Sequence, residues 1–462
     1  MTMRDAAAGN APPDLNTGPL NTGALDTGDF HTGDLDVDVL VIGAGPVGGT
    51  LATTLATAGV TVAVVDAQAL APMELPAFDG RAYAVAASSR NLLAAAGLWD
   101  LLPADPCAIT GIRVSDGRPG ERASPLHLHF DAAGMGEDAF GWMVEARSLR
   151  VALNARLAAL PGLHLAAPMT AEVERRPEGV TARLPDGRRV RARLAISAEG
   201  RRSALRAAAG IGAARVDYRQ SGIVCAIAHE RPHHGTALEA FLPNGPVAQL
   251  PLPDAAPDGD SERARAAREG FPHASAIVWS ERSSLAPHFM AMEADAFARE
   301  VVRRMGDHLG RVRLVGGRWS YPLSALQAMR FTDTRLALVG DAAHGIHPIA
   351  GQGLNVGLRD VAALAELVIA AKAAGEDPGA PALLAAYQAK RRPDAILMLG
   401  ATHALERLFG NDVAPVRIAR RLGIAAVDRI PALKGFFARR AMGFAGGAAS
   451  GLLGGRGIMR VA

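Results

Sequence analysis

A chain of 462 residues is long enough for two or three domains with a large buried core. Formal charge is only +3, and the basic residues are almost all arginine, with lysine at Lys372, Lys390 and Lys434 alone, which argues against a nucleic-acid surface. Cys107 and Cys225 are far apart, and no Cys-x-x-Cys or Cys/His cluster has metal spacing, so a structural zinc, an iron–sulfur centre and a redox dithiol are disfavoured. The two read as free thiols in a reducing compartment.

Met1 to Asn10 lacks the basic-then-apolar pattern of a signal peptide. No apolar run reaches the roughly 18 residues of a spanning helix. The sequence predicts a cytoplasmic chain, with peripheral attachment at the inner membrane left open. Residues 11–35 carry short units opening at Asn16, Asn21, Asp26 and His31, too short to bury a core, so residues 1–35 read as a disordered tail.

Order begins at Asp36. Val39-Leu40-Val41-Ile42 is a buried-strand run, followed by Gly43-Ala44-Gly45-Pro46-Val47-Gly48 and an Ala/Leu/Thr-rich helix closed by Gly59. Thr61 to Val65 is the next strand, ending at Asp66. This is a βαβ unit. Residues 113–141 lack helical periodicity, Glu145 to Leu160 reads as a helix, and residues 162–194 as short strands with a turn at Pro185-Asp186-Gly187. Leu194 to Ala198 is another buried strand. From Tyr218 to Trp279 strands dominate, broken by a polar insertion near 254–270. Helical patterns return at Ala291–Leu309 and from Leu354 onward. Strands of the first type lie in three separate segments, so a nucleotide domain interrupted by a strand-rich domain accounts for them best. The division is 36–112, 142–214 and 316–385 for the nucleotide domain, 113–141 and 215–315 for the substrate domain, and 386–462 for a C-terminal helical region.

Three glycine-plus-acid turns carry the chemistry. Gly43, Gly45 and Gly48 give G-x-G-x-x-G between a strand and a helix: the first permits the turn, the second lets a pyrophosphate approach, the third lets helix and strand pack. Asp66, 23 residues after Gly43, is placed to accept from ribose hydroxyls. Arg81 follows in Asp79-Gly80-Arg81, within reach of a phosphate or ring edge, or else on the surface. Glu199-Gly200 ends a strand ahead of Arg201, Arg202 and Arg206; the carboxylate either meets a dinucleotide or caps the next helix. Gly340-Asp341 opens a glycine-rich loop that runs to Asn355. Asp341 can accept from sugar-like hydroxyls, and Gly351 to Asn355, at a helix N-terminus, can offer N–H groups to a negatively charged carbonyl edge. His344 and His347 read as loop polar groups, not metal ligands, and no metal site is expected. No nucleophilic triad or carboxylate pair stands out, so a cofactor is expected to carry the chemistry.

Together these segments resemble the class A flavoprotein monooxygenases. More closely, the chain resembles the FAD-dependent hydroxylases of ubiquinone biosynthesis. The resemblance rests on Gly340 to His344 with Pro348, Gly351 to Asn355 and Gly357 to Val361, together with Asp79 to Ser88, Phe241 to Pro246, Tyr321-Pro322-Leu323 and Ala441-Met442-Gly443. It covers roughly residues 36–445. It implies an α/β fold: a Rossmann-like, PHBH-like FAD-binding domain interrupted by a mostly antiparallel substrate sheet, plus C-terminal helices. It implies FAD held by Gly43, Gly45, Gly48, Asp66, Arg81, Glu199, Gly200, Gly340, Asp341, Gly353, Leu354 and Asn355. Pro348, Gly351, Gln352 and Gly353 would form the flavin environment, with Pro348 over the ring. Phe241, Pro243, Pro246, Tyr321 and Pro322 are the candidate substrate-pocket residues.

The activity implied is hydroxylation of a polyprenylated phenol with NADH or NADPH and O2, through a flavin C4a-hydroperoxide. Other ubiquinone-biosynthesis proteins are implied as partners. Residues 430–462 are expected to touch the membrane or a partner, because Leu433, Phe437, Ala441 and Phe444 fall on one helical face, ahead of an apolar, flexible stretch from Gly446 to Gly455. Two departures stand out: Glu199 replaces the usual Asp, and His403 stands where an Asp is common. A soluble hydroxylase of small phenols, a flavin-dependent reductase of prenyl chains and a non-catalytic FAD-binding scaffold are the competing readings.

Overall fold

The computed structural model describes residues 33–74, 80–121, 127–409, 423, 427–443 and 451–461. Most of the expected tail, Asp79, Phe444 and residues 446–450 lie outside the described residues.

Val39, Leu40 and Val41 have no exposed surface, so the strand Leu35–Ile42 is apolar on both sides, as a parallel sheet between helices requires. It pairs in parallel with Val62–Val65 on one side and Arg189–Ser197 on the other. Leu163–Ala166 and Leu336–Leu338 extend the parallel array outward. Glu172–Arg176 and Gly179–Arg183 form a hairpin on its edge. Each fully buried Val or Leu contributes about 1.5–3 kcal/mol.

The helix Pro46–Thr57 starts with proline, whose fixed φ suits a first helical position. Threonine is a weak helix former, yet Thr50, Thr54 and Thr57 hydroxyls donate to carbonyls four residues back, which satisfies them inside a buried helix. The helix Gly353–Ala373 packs beside it.

The second sheet has eight strands, in the order His344–Gly345, Val312–Ala328, Ala213–His229, His273–Arg282, Gly245–Leu252, Thr236–Leu242, Gly111–Asp116, Leu128–Asp131. All neighbours are antiparallel except Thr236–Leu242 with Gly111–Asp116. One face carries Ile223, Ile227, Leu242 and Trp279, covered by Phe297, Val301 and Met305 of the helix Ala294–Met305. The other faces the nucleotide domain, where Ala226, Ala276 and Val315 meet Met143, Ala82 and Ala84. The strands Ala82–Ala86, Gly141–Glu145 and Cys107–Ile109 form a small sheet between the two layers.

The expected fold class is therefore observed. Two long elements ignore the expected divisions. Val312–Ala328 spans the 315/316 point but its pairing with Ala213–His229 shifts register there, between Val315 and Trp319, and the helix Pro381–Phe409 runs through 385/386 with Pro393 inside it. The polar insertion near 254–270 also holds a short helix, Glu262–Arg268, capped where Ser261 Oγ accepts from Ala264 N. Cys107 and Cys225 are both free, Cys225 fully buried.

Candidate cofactor and substrate site

Gly43 has a φ of 105°, and a side chain there would place Cβ 2.6 Å from the Ala198 carbonyl oxygen. At Gly48 an added Cβ would lie 1.9 Å from the Gly43 carbonyl oxygen. Both positions are closed by backbone, so they need glycine for packing. Gly45 differs: it caps the helix Pro46–Thr57, and an added Cβ would meet nothing within 4 Å. Asp66 Oδ2 accepts from Ala44 N at 2.6 Å and Oδ1 from Gln68 N at 2.8 Å, so its carboxylate shapes the turn as well as facing it. Arg150, unmarked by any sequence motif, donates from Nη1 to the Ala44 carbonyl at 2.8 Å.

The second turn shows the capping half of its sequence reading. Glu199 Oε2 accepts from Ser197 Oγ (2.8 Å), Ser203 Oγ (2.7 Å) and Leu205 N (3.1 Å), and Oε1 from Ala204 N (3.2 Å). The carboxylate is thus committed to the N-terminus of the helix Ala204–Ala208, the capping alternative. The longer reach of Glu over Asp lets it span those serines. Gly200, at φ 75°, has nothing within 4 Å of an added Cβ. The next residue makes the long-range contacts. Arg201 Nε donates to Asp341 Oδ2 at 3.0 Å, and Nη1 donates to both the carbonyl and Oγ of Ser324 at 2.7 Å. Arg206 Nη1 donates to the Ala342 carbonyl at 2.8 Å.

Gly340 and Gly357 close on Val47 of the first turn, with an added Cβ at 3.1 and 2.7 Å from its Cγ2. The three turns therefore converge. Beneath them lies a buried ionic network that joins two of the motif segments, through His344 and Asp360, to Arg391 outside them. Asp360 Oδ2 accepts from Gly340 N (3.0 Å) and pairs with His344 Nε2 (2.6 Å), while Oδ1 accepts from Arg391 Nε (2.8 Å). Burial alone raises the Asp360 carboxyl, but the pull of His344 and Arg391 outweighs it and holds the group below the usual range.

His347 goes elsewhere. It is fully buried, 3.2 Å from Gln220 Oε1, with its ring edge-on to Tyr218, and desolvation pushes it down to about 4. His403 joins this group, its Nδ1 3.4 Å from the Tyr218 hydroxyl, and Glu406 is raised by burial beside it. Pro348 then opens a tight turn, its carbonyl accepting from Gly351 N at 3.0 Å. Gly351 lies against Ala84, with an added Cβ 3.0 Å from that methyl. Gln352 precedes the helix, and Gly353, its first residue, has nothing within 4 Å of an added Cβ. Leu354 is half-buried against the nucleotide core. Asn355 Oδ1 accepts from Ala86 N (2.9 Å) and Nδ2 donates to the Ala84 carbonyl (2.8 Å), so its side chain clips the loop to Ala82–Ala86.

Register sorts the candidate pocket residues. Directly paired residues project to one face and the faces alternate along a strand. Phe241 pairs with Pro246, and Phe241 packs with Ile349 of the loop, so both lie on the loop-facing side. Tyr321 pairs with Gly222 on that same side and is 42% exposed. Pro322, one residue on, alternates to the other face. Pro243 lines a small cavity of about 70 Å³ with Leu242, Trp279 and Arg304, also on the far side. Arg81 lies with its guanidinium 5.0 Å from the Trp319 ring centre, at the margin of the loop-facing side.

A cofactor's fit can be tested on this backbone. Gly45, Gly200 and Gly353 are the positions in the three converging turns where a side chain would project into open space. Two sit at helix N-termini, where N–H groups and the helix dipole favour an anion. A dinucleotide with a pyrophosphate and a ring edge that becomes anionic fits this donor set.

The comparisons agree with that chemistry. A family model described as FAD binding domain matches residues 36–401. Ubiquinone hydroxylase UbiL of Rhodospirillum rubrum is 51% identical over 407 residues, covering 88% of this chain and 89% of that protein. The 3-demethoxyubiquinol 3-hydroxylase of Escherichia coli is 32% identical, covering 86% and 96%. Among solved structures, p-nitrophenol 4-monooxygenase PnpA from Pseudomonas putida superposes with a TM-score of 0.67 over 91% of this chain and 99% of that one; at 18% identity it shows the fold alone. From its three converging turns to its sequence relatives, the chain belongs to the FAD-binding-domain family and, within it, to the ubiquinone hydroxylases.

Proposed function

We propose that this protein is an FAD-dependent monooxygenase that hydroxylates the aromatic ring of a polyprenylated phenol in ubiquinone biosynthesis, using NADH or NADPH and O2. The observation that carries the reading is the meeting of three turns, knotted by Arg201 and Val47, beside a half-exposed apolar sheet face. Bound FAD, once reduced, would supply the oxygen-activating chemistry. The chain's part is to hold and shield. Gly43, Gly45 and Gly48 would admit the pyrophosphate and Asp66 the ribose. Asp341 would take the ribityl hydroxyls, and the N–H groups of Gly353 and Leu354 an anionic ring edge. Arg81 would meet a phosphate or ring edge, with Pro348, Gly351 and Gln352 bordering the ring. Glu199 and Asn355 would act by bracing this cradle. Trp319, Tyr321, Phe241 and Pro246 would wall off water on the opposite side.

A prenylated phenol lives in a bilayer, so we place the enzyme peripherally at the inner membrane. Among the described residues no helix is long and apolar enough to cross one. The C-terminal helix Pro431–Ala441 and Met442 just after it bury Ala438 and Met442 against Phe241 and Ile349, and the helix leaves Phe436 and Phe437 each 45% exposed. Ile396, Leu397, Leu405 and Leu408 of Pro381–Phe409 are exposed as well. These side chains suit shallow insertion. Residues 451–461 are anchored to the body of the protein at two points: Leu452 is buried and Val461 N donates to the Ala58 carbonyl at 2.7 Å.

The test is profiling of quinone intermediates by mass spectrometry in a strain lacking the protein, paired with NAD(P)H and O2 consumption by the purified enzyme. A prenylated phenol missing one ring hydroxyl should accumulate, and a prenylated phenol should stimulate consumption. Turnover of small phenols with no response to prenylated ones would favour the soluble hydroxylase; oxygen-independent turnover would favour the reductase.

A further inference from the structure

Two residues of the strand Ala213–His229 break its pairing beside the loop. Asp217 pairs with Ser324 and Gln220 with the very next partner, Leu323, so Tyr218 and Arg219 are extra. Arg219 sits at φ 54°, a left-handed conformation that disfavours a side chain. It is held there by Asp217 Oδ1, which accepts from Arg219 N at 2.8 Å, and by its own carbonyl, which accepts from Ser283 N at 3.0 Å. A strained bulge kept in place by its surroundings re-aims the side chains beside it. Here those are Tyr218, whose ring meets His347 edge-on with centres 4.9 Å apart, and Gln220, whose Oε1 lies 3.2 Å from His347 Nε2.

The hydrogen-bond roles in this group are fixed from both ends. The Asn244 carbonyl can only accept, so the Gln220 amide nitrogen, 3.2 Å from it, donates there and leaves Oε1 facing His347. The Ile349 N–H can only donate, so His347 Nδ1, 3.3 Å from it, is the bare ring nitrogen. The ring therefore carries its proton on Nε2 and donates it to Gln220 Oε1. Desolvation keeps the ring neutral, pushing it down to about 4, and a doubly protonated ring would set an N–H against Ile349 N–H. Ile349 is thus held twice, its N–H by His347 and its buried side chain within the Phe241 cluster. It lies inside the turn from Pro348 to Gly351, closed by Gly351 N donating to the Pro348 carbonyl at 3.0 Å. Gln220 Nε2 also reaches Glu406 Oε1, at 3.4 Å, on the helix Pro381–Phe409. The same helix carries Arg391, which holds Asp360 and through it His344. One helix thereby steadies both histidines of the loop through one intermediary each.

Resting on the reading that Pro348 and Gly351 border the flavin ring, we propose that Gln220 is a positioning residue for the hydroxylation: it holds His347 in one tautomer, and His347 in turn holds the Pro348–Gly351 turn in the shape that keeps water from the ring. Neither side chain needs to touch the cofactor or the phenol. Their effect lies in where the oxygen goes. In hydroxylation NAD(P)H, a proton and O2 convert the phenol to its hydroxylated form and water. The same NAD(P)H, proton and O2 without hydroxylation give H2O2.

The test compares the FAD-loaded full-length enzyme with its Gln220→Leu, His347→Leu and His347→Asn variants. One readout is deuterium exchange of the backbone amides of residues 349–352 by mass spectrometry. The other is the ratio of hydroxylated phenol to H2O2 formed from NAD(P)H, with flavin content and melting temperature measured alongside. Gln220→Leu and His347→Leu should each speed exchange of the turn about tenfold and send most of the oxygen to H2O2, with flavin content unchanged. The double variant should be no worse than either, as for residues acting in series. His347→Asn should keep the turn protected, because an asparagine Oδ1 accepts from the backbone N–H two residues on. Added to Gln220→Leu, it should rescue the product ratio. Wild-type exchange and product ratio in Gln220→Leu, additive losses in the double variant, or no rescue by His347→Asn overturns the inference. Where Gln220→Leu does not fold, the His347→Leu and His347→Asn pair, which leaves Gln220 its bonds to Asn244 and Glu406, gives the same decision. A wild type that holds FAD and oxidises NAD(P)H yet hydroxylates no phenol overturns the monooxygenase reading, while the exchange measurement still decides the hold on the turn.

Discussion

Arg201 and Asp341, 140 residues apart in sequence, meet at 3.0 Å and tie the Glu199-Gly200 turn to the Gly340-Asp341 loop. Both side chains are about one-third to one-half exposed (34% and 45%), so the ion pair itself contributes only about 0–1 kcal/mol. Its consequence is positional: the guanidinium also holds Ser324, so three chain segments share one cation.

Asp341→Ala should therefore give a folded protein with little bound FAD and no yellow colour. Arg201→Ala should weaken FAD about tenfold while shifting the melting temperature by only a few degrees. Flavin content after desalting checks both, and a fully flavinated Asp341→Ala protein would count against the assignment.

Two glycines of one motif should part company. Gly48→Ala forces a methyl into the Gly43 carbonyl and should destabilise by about 1–3 kcal/mol or more. Gly45→Ala meets nothing in the protein, so its melting temperature without FAD should match wild type while FAD affinity falls. Parallel melts with and without added FAD separate the outcomes.

Asp360→Ala leaves Arg391 and His344 buried beside a missing charge and should cost about 3–5 kcal/mol. The Gly340 N–H loses its acceptor too. Denaturant unfolding checks the magnitude, and a loss under about 1 kcal/mol would show that the network is not needed for the fold.

Acid should weaken the protein through histidines kept neutral. His229 is fully buried, its Nδ1 at 2.8 Å from the Arg231 carbonyl and its Nε2 at 2.9 Å from Ser275 Oγ. Desolvation lowers it to about 4. The unfolded chain takes up that proton near 6.5, so it binds more protons than the folded one between those values. The stabilisation is whole above about pH 6.5 and is lost as pH falls toward 4, up to about 3 kcal/mol. Melts from pH 7.5 to 4.5 should show the decline, and His229→Gln should flatten its slope.

Phe436→Ser with Phe437→Ser should leave the melting temperature unchanged, since both rings are half-exposed, and reduce co-sedimentation with phospholipid vesicles several-fold. Unaltered sedimentation would move the membrane contact to another surface.

Local backbone demands are legible in a sequence. Gly43 needs a positive φ and Gly48 a bare Cα, so the first turn, its cofactor class and the βαβ unit could be read residue by residue. The apolar run at Val39 to Val41 likewise announced a strand buried on both sides. Packing partners distant in sequence leave no such mark. Glu199 could be read as a ligand residue or as a helix cap, and its hold on the helix start shows only in the structure, because the serines it binds are defined only once the turn folds. Phe241 and Pro243 are two residues apart and looked alike; strand register and the turn that follows sent one to the loop and the other to a far cavity. The sequence by itself determined the backbone of the first turn, since glycine and proline act on their own dihedrals. Only the tertiary structure decided which carboxylates brace the scaffold, such as Glu199 at a helix start and Asp360 beneath the turns, since that depends on partners brought together from distant segments.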